Sequence, residues 1–310
     1  MTTAAATASE KHGVSVLGSA NLDLVFTTER IPLPGETLLA RSVDRFPGGK
    51  GLNQAVAAAR SGADTTFIAA LGTDENGAVL AATIKDSGID DRLVRRVNEA
   101  TGQAFIVVNL AGENTIIVAS GANATVETLR APETAAVLAS KVLLMQLELP
   151  VDVVTEAALA AHASGTVVMV NAAPAHPLSD ALLGAIDYLI VNEHEACELG
   201  GSDDLATASH ALATAVPRVI VTIGSEGSVL YEDGKELARV TAFVVTPLDT
   251  TGAGDTFCGA FAGAISEGQD FVSSARFATA AAAVSVQSVG AVPSIPSRAA
   301  IEEMLRGSDF

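Results

Sequence analysis

The sequence has no tryptophan and only two cysteines, Cys197 and Cys258, among its 310 residues. These two are not spaced as the paired cysteines of zinc or redox sites, and they are too few for a disulfide framework. Both fall in segments with a helical apolar pattern, where a free cysteine is usually a small core residue. The scarcity of cysteine therefore argues against a small secreted disulfide protein.

Positive charge is also scarce. The chain has 18 lysines and arginines against 36 aspartates and glutamates, which gives a net charge of −18 and a pI near 4.5. Such a charge repels the phosphate backbone of nucleic acids and the surface of anionic membranes. We therefore expect neither nucleic acid nor membrane as a partner. A phosphate ligand would have to be bound by local features, such as a helix N-terminus, a cation or one lysine.

Long apolar runs are missing as well. No stretch reaches the ~18 apolar residues of a membrane span, and the opening MTTAAATASEKHG lacks the apolar centre of a signal peptide. We interpret residues 1–13 as a loose tail and expect a cytoplasmic protein.

What the chain has instead is a regular alternation of strand-like and helix-like segments. Apolar strand-like runs occur at 14–20, 65–72, 141–149, 166–173, 187–193 and 218–224. Alanine-rich segments with helical periodicity lie between them. Strands that are apolar on both sides are typical of a sheet covered by helices on both faces. The pattern predicts one α/β domain over residues 14–310, with a three-layer, doubly wound and mostly parallel sheet.

Two segments, at about 23–47 and 101–119, break this alternation and look like hairpins. We expect them to form a small separate β-sheet. It could be a lid over a ligand cleft, or an edge extension or dimer surface, and these interpretations are compatible.

The segment TTGAGDTF precedes a predicted helix. Gly252 and Gly254 allow tight backbone conformations, and the start of a helix presents unpaired N–H groups with partial positive charge. Together they predict an anion site. Asp255 would be unfavourable beside an anion unless it takes a proton from an attacking hydroxyl. The alternative is that Asp255 is an ordinary helix N-cap.

A second glycine-rich turn, PGGKGLNQ, also precedes a predicted helix. Gly49 would let a polyhydroxylated ligand touch the main chain, Lys50 adds positive charge, and Asn53 can both donate and accept hydrogen bonds. Alternatively, this is a loop with a solvated lysine. Asn21, Asp23, Glu148 and the NEHE of 192–195 follow predicted strands, where open α/β sheets bind ligands, although each alone could be a turn residue.

The common nucleotide motifs are absent from the sequence. Neither GK pair belongs to a GxxxxGK[ST] loop, and no GxGxxG follows a strand, which disfavours a P-loop or a dinucleotide site. The five histidines lack metal-ligand spacing.

The motifs taken together resemble the ribokinase family of sugar kinases, which includes adenosine kinases and fructokinases. The resemblance covers residues 14 to 296 and keeps the family order: GSANLD, PLPGET, GGKGLNQA, LGTDENG, GENTI with GAN, NAAPA, VNEHE, TIGSEG, DTTGAGDTF and GAVPSIP. One such motif is weak support, whereas ten in register are strong.

The resemblance implies ATP-dependent phosphorylation of the primary hydroxyl of a pentose, with D-ribose giving D-ribose 5-phosphate as the first choice. Another furanose or a nucleoside, or a sugar sensor without catalysis, are the alternatives. Asp255 would be the general base, and Gly252, Ala253 and Gly254 would offer N–H groups to the transferred phosphoryl group. The residues that would bind the sugar are Asn21, Asp23, Gly49, Lys50, Asn53 and Glu148.

The resemblance also implies a nucleotide site, metal ions and a dimer. Asn192 and Glu195 would lie near the phosphates and Mg²⁺, and Thr279 stands where many relatives have asparagine near adenine. The remaining nucleotide residues would be Thr222, Gly224, Ser225, Glu226 and Gly227. A monovalent cation, best K⁺, would be held by Asp249, Thr251, Ser285, Ser288, Gly290 and Ser294, several through backbone carbonyls. The two β segments would be the lid, which in relatives also joins two subunits into a homodimer.

Overall fold

The computed structural model describes residues 11–307. Within this range it has thirteen strands: β1 His12–Leu17, β2 Asn21–Thr28, β3 Ser42–Gly48, β4 Thr65–Gly72, β5 Val94–Val97, β6 Gly102–Asn109, β7 Asn114–Ala119, β8 Ser140–Gln146, β9 Val167–Asn171, β10 Tyr188–Asn192, β11 Arg218–Thr222, β12 Gly227–Glu232 and β13 Lys235–Thr241. The same range has eleven helices: α1 Lys50–Arg60, α2 Glu75–Asp86, α3 Ala131–Ala139, α4 Val151–Ala163, α5 Asp180–Leu183, α6 Glu193–Gly200, α7 Leu205–Ala215, α8 Ala253–Ser266, α9 Phe271–Ser285, α10 Ala291–Ser294 and α11 Arg298–Gly307.

The large sheet has nine strands in the order β13-β12-β11-β10-β9-β8-β1-β4-β5. The strands from β11 to β5 pair in parallel, and β12 and β13 add an antiparallel edge. All six strand-like runs of the sequence are strands of this sheet. The prediction of a doubly wound, mostly parallel sheet is confirmed.

The strands are apolar throughout because both faces of the sheet are covered. Val16 and Leu144 belong to one core cluster, with side chains of α1, α8 and α9. Their neighbours Leu17 and Leu143 belong to a second cluster, with side chains of α4 and α7. Successive residues of a strand point to opposite faces, so each strand contributes to both cores.

The two hairpin-like segments form a separate four-stranded sheet in the order β3-β2-β6-β7. Strands β2 and β3 pair antiparallel, as do β6 and β7, while β2 and β6 pair in parallel and join the two hairpins. The predicted small sheet is therefore confirmed. The chain enters it from the large sheet through residues 18–20, between β1 and β2, and through residues 98–101, between β5 and β6, and it passes from β3 to α1 through Gly49.

The N-terminal boundary differs from the prediction. Strand β1 begins at His12, because His12 pairs with Ser140 of β8, so residues 12 and 13 belong to the sheet and not to the predicted tail. Lys11 is bonded to Ser164 and Thr166, and the rest of that predicted tail, residues 1–10, lies outside the described residues. Among residues 11–307, none of the helices has the length and apolar character needed to cross a bilayer.

Candidate active site

The candidate site lies where the chain reverses its direction of winding through the large sheet. After β1 the chain adds β4 and β5 on one side, and from β8 onward it adds strands on the other. Ligands of open α/β sheets bind beyond the carboxyl ends of the strands at such a switch point. Ser19 follows β1 and Glu148 follows β8, so both lie at this crevice.

Helix α8 begins at the predicted anion site. Its N-cap is Gly252, whose φ of 75° is in the left-handed region that favours glycine. Asp255 lies inside the first turn of the helix, and no side chain caps this end, so the N-cap alternative for Asp255 is wrong. We expected the Ala253 N–H to be free for a phosphoryl group, but it donates to the Thr250 carbonyl at 3.2 Å. The Gly254 N–H has no partner within residues 11–307.

Asp255 is placed by the close packing of α8 on α1. A Cβ at Gly259, one turn after Asp255, would lie 2.3 Å from the Gln54 carbonyl oxygen and 2.5 Å from the Ala57 Cβ, so only glycine permits this approach. Asn53 Nδ2 then donates to Asp255 Oδ2 at 2.9 Å, and Gln54 Nε2 donates to Oδ1 at 2.8 Å. Asp255 is 8% exposed.

Glu148 ties the end of β8 to the turn before α1. Its Oε2 accepts from Ser19 Oγ at 2.5 Å and from the Lys50 N–H at 3.1 Å. Burial lowers the pKa of the Lys50 ammonium, but the nearby carboxylates of Asp255, Glu148 and Glu195 outweigh burial, and the pKa is raised. Lys50 is thus a cation among acids, and the solvated-lysine alternative is wrong.

Asn21 and Asp23 lie on β2 of the small sheet and are both buried. Asn21 Oδ1 accepts from Asn123 Nδ2 at 2.8 Å. Asp23 packs on the backbone of Gly48, where a Cβ would lie 2.1 Å from its carboxylate. Burial raises the pKa of Asp23 to about 7, with further contributions from the charges of Glu148 and Asp255 and an opposing one from Lys50. A desolvated carboxyl of this kind gains from hydroxyl donors of a ligand.

A cavity of about 420 Å³ opens between β11, the segment after β13, and helices α8 and α9. Its wall is mostly apolar and includes Phe243, Val244 and Phe257. Of the predicted nucleotide residues, Thr222, Gly224, Ser225, Gly227 and Thr279 line it. Glu226 does not. Thr279 donates its hydroxyl to the Ala275 carbonyl at 2.8 Å.

A smaller cleft of about 150 Å³ shares Thr222 and Gly254 with the first cavity, and Lys50, Asp255 and Cys258 also line it. Asn192 and Glu195 line it too, and they form a capping box at the start of α6: the Glu195 N–H donates to Asn192 Oδ1 at 2.8 Å, and the Asn192 N–H to Glu195 Oε2 at 2.9 Å. Burial raises the pKa of Glu195, partly offset by the Asn192 N–H and Lys50.

The predicted cation residues lie on two segments joined by Asp249. Asp249 Oδ1 accepts from the Thr251 N–H at 2.9 Å, and Oδ2 accepts from the Gly290 N–H at 2.8 Å. Burial raises the pKa of Asp249, but these bonds outweigh burial and hold it below its usual range. Ser285 ends α9 and Ser294 ends α10, while the Ser288 N–H donates to the Ser285 carbonyl at 3.1 Å. Each oxygen of the Asp249 carboxylate thus accepts one backbone N–H group, and these two bonds hold the two segments together.

Sequence reasoning missed the roles of several buried polar residues. Ser19 contacts Glu148, and Asn123 holds Asn21. Gln54, Gln146 and Asn171 form a chain of side-chain amides that ends at Asp255. Gln146 and Asn171 are the last residues of apolar strands, so their position at strand ends was the available signal.

Comparisons with known proteins agree on one family. The model of the pfkB family carbohydrate kinases matches residues 11–298. A ribokinase of Haemophilus influenzae is 41% identical over 300 residues, which cover 94% of this chain and 98% of the relative. A ribokinase of Bacillus subtilis is 37% identical over 293 residues, covering 94% and 99%. The solved structure of Arabidopsis thaliana ribokinase complexed with ribose and ATP has a TM-score of 0.89 and 35% identity, and covers 96% of this chain and 99% of that chain.

Proposed function

Because the chain belongs to the pfkB family of carbohydrate kinases, we propose that it transfers the γ-phosphoryl group of ATP to the primary hydroxyl of D-ribose, which gives D-ribose 5-phosphate. The observation that carries this proposal is the meeting of two cavities at the start of α8, next to a buried carboxylate. Full-length similarity to ribokinases supports ribose as the sugar.

We assign sugar binding to the polar groups around Lys50. Asp23 and Glu148 offer carboxylate oxygens to sugar hydroxyls, and Asn53 offers an amide oxygen, which is buried without a protein partner among residues 11–307. Asn21 and Gly49 are assigned to the same site, and their backbones lie close together, since a Cβ at Gly49 would be 2.7 Å from the Asn21 nitrogen. A buried acceptor without a protein donor, such as Asn53 Oδ1, favours a ligand that carries hydroxyl groups.

In the proposed reaction Asp255 takes the proton of the primary hydroxyl as its oxygen bonds to the γ-phosphorus. The bond from that phosphorus to the bridging oxygen breaks, and ADP leaves. The N-terminus of α8, with the free Gly254 N–H, stabilises the negative charge on the transferred group. Lys50 in the cleft adds positive charge.

The nucleotide would occupy the larger cavity, with adenine against its apolar wall and the phosphates toward the smaller cleft. Thr222 and Gly254 line both spaces and would lie beside the phosphates. Glu226 does not line the cavity, so its proposed role is limited to ending the short turn Gly224–Glu226, whose other residues do line it. Thr279 would contact the base through packing, because its hydroxyl proton is used by Ala275.

Two metal ions belong to the proposal. Mg²⁺ is usually held by one or two carboxylates together with substrate phosphates, and Glu195 in the smaller cleft fits that role. Mg²⁺ would neutralise charge on the phosphates. K⁺ would bind carbonyl oxygens of the two segments joined by Asp249, beside the start of α8.

We also propose one kinase domain with the small sheet as its lid, and a homodimer formed through that sheet. Strand β7 is exposed along its whole length, including Ile116 and Ile117, and a monomer rarely leaves such an apolar strand uncovered. A reaction that consumes ATP, in a chain with two free cysteines, fits the cytoplasm.

Measuring ADP release with ribose, deoxyribose, fructose and adenosine tests the proposed function. We expect the highest kcat/KM for ribose. Higher values for fructose or adenosine would reassign the substrate, and sugar binding by calorimetry without ADP release would indicate a sensor.

Asp255→Asn should lower kcat by about 10²–10⁴-fold, the range for loss of a general base, with a much smaller effect on ribose affinity. The control is Asp204→Asn, because Asp204 is an exposed cap of α7 with no contact to the site. Equal kcat in Asp255→Asn and the parent would discard the assigned base.

A further inference from the structure

The side chain of Gln54 is fully buried and uses every donor it has. Its Nε2 donates to Asp255 Oδ1 at 2.8 Å and to Asn171 Oδ1 at 3.0 Å. Its Oε1 accepts from Gln146 Nε2 at 2.6 Å. A glutamine amide has two N–H donors and one carbonyl oxygen, so both donors are committed and the oxygen is engaged.

The direction of these bonds is set by a backbone carbonyl. Asn171 Nδ2 donates to the Ile190 carbonyl at 3.2 Å, and a carbonyl can only accept. Asn171 must therefore present its oxygen to Gln54. If the Gln54 amide were reversed, its oxygen would face the oxygens of Asn171 and Asp255. Gln54 is thus held with an N–H toward the carboxylate.

The second oxygen of Asp255 receives another amide, from Asn53 at 2.9 Å. Hydrogen bonds donated to a buried carboxylate favour its ionised form, which is the form that accepts a proton. The other titratable groups that act on Asp255 are Asp23 on β2, Lys50 on α1, Glu195 on α6 and Cys258 on α8. Of these, Lys50 is a cation, and Asp23 and Glu195 are acids.

Gln54 differs from Asn53 in one important respect: both polar atoms of its side chain are bonded within the protein, whereas Asn53 Oδ1 has no partner among residues 11–307. Gln54 is also fully buried and lines neither cavity, so it is separated from the substrates. Its effect on the reaction would have to pass through Asp255.

We propose that Gln54 is a positioning residue, held by Gln146 and Asn171, that fixes the Asp255 carboxylate in the orientation in which it accepts the sugar proton. The inference rests on the proposed role of Asp255 as the general base. It adds to that base a glutamine whose N–H donors are oriented by Asn171 and, through Asn171, by the Ile190 carbonyl.

The test compares Gln54→Met, which keeps the length of the side chain but removes the donors, with Gln54→Glu, which replaces the amide by an acid. We expect kcat to fall about 10- to 100-fold in Gln54→Met, within the range for impaired general-base catalysis, with KM values changed less than about threefold. The acid limb of the kcat profile should move to higher pH. It should move further in Gln54→Glu, because two adjacent carboxyl groups share a proton.

Ser15→Ala is the matched control for lost stability. It removes a buried side-chain hydrogen bond, from Ser15 to Ser140 at 2.6 Å, between β1 and β8 and away from Asp255. We expect its acid limb to coincide with that of the parent. Gln146→Met removes the bond that Gln146 Nε2 donates to Gln54 Oε1 and leaves the bond to Asn171, so it should shift the limb in the same direction by less.

A double-mutant cycle provides a readout that needs no substrate. Gln54→Met should cost less stability in an Asp255→Asn background than in the parent, because the bond to a charged acceptor is already gone. Equal costs in both backgrounds would overturn the inference, as would an active parent whose kcat and acid limb are unchanged by Gln54→Met. An inactive parent would overturn the proposed function, and the cycle would then decide alone whether Gln54 fixes the carboxylate.

Discussion

At the scale of single residues, Asp23 combines a structural cost with a binding role. Burial raises its pKa to about 7, together with the charges of Glu148 and Asp255. Because the folded-state pKa lies above the unfolded value near 4, its contribution to stability is fully present below pH 4. That contribution is lost as the pH rises to 7. Asp23 therefore stabilises the folded, ligand-free protein least at neutral and alkaline pH.

We expect Asp23→Asn to raise the free energy of unfolding of the ligand-free protein at pH 8 by up to about 4 kcal/mol, the upper limit for a shift of three pKa units. The gain should shrink toward pH 4, and ribose binding should weaken. Denaturant unfolding at both pH values measures this. Asp44→Asn on exposed β3 is the control, and a gain independent of pH would contradict the explanation.

Residue roles were predictable from the sequence where a side chain directly follows a strand or a glycine-rich turn. Asp23, Lys50 and Asp255 are brought together as expected. Gln54 was not assigned a role, because its contact with Asp255 depends on how closely Gly259 lets α8 approach α1. A local sequence pattern does not predict the distance between two helices. Ala253 was wrongly expected to be free, since its bond to Thr250 depends on the conformation of the turn.

At the scale of elements, the apolar parallel strands were predicted well and the antiparallel edge was not. Strands β12 and β13 are joined by Asp233 and Gly234, both with positive φ, which is the pattern of a two-residue hairpin. The Asp-Gly pair was thus a usable signal. The exposed, polar β13 lacks the apolar run that identified the central strands.

The segments joined by Asp249 give a prediction at this scale. K⁺ should raise the turnover of the parent relative to a large organic cation. Asp249→Asn should reduce that response, because an asparagine would point an N–H group at the Thr251 or Gly290 N–H and separate the segments. Turnover against K⁺ concentration measures the effect.

Asp270→Asn is the matched control, because Asp270 accepts backbone and side-chain bonds from Ser273 at the exposed start of α9. Its response to K⁺ should equal that of the parent. If the turnover of the parent does not change with K⁺ concentration, the proposed cation site is wrong.

At the scale of the whole molecule, a highly acidic chain exposes apolar side chains on its small sheet. The chain carries a net charge of −18, while the small sheet leaves Ile117 66% exposed and Ile116 52% exposed. Covering these side chains with a second subunit would remove apolar area from water. The sequence predicted this sheet from its turns and alternation, but the order of strands in the large sheet could not be read from local patterns.

We expect the parent to sediment as a dimer and Ile117→Lys to shift it toward monomer, because a buried lysine without a partner is costly. Sedimentation equilibrium over a range of concentrations measures this. Leu159→Lys, at an exposed position of α4, which packs on the large sheet, should remain dimeric. A monomeric parent would exclude the proposed dimer.

The contacts of Asp255 with Asn53 and Gln54 span 202 and 201 positions of the chain. During translation the ribosome therefore completes α1 and all nine strands of the large sheet before the partner carboxylate exists. A nascent chain can bury much of its core at that stage, yet it has no proton acceptor for the sugar. The catalytic site is therefore completed only after α8 has packed on α1. Enzymatic activity would be a more stringent measure of complete folding than secondary-structure content.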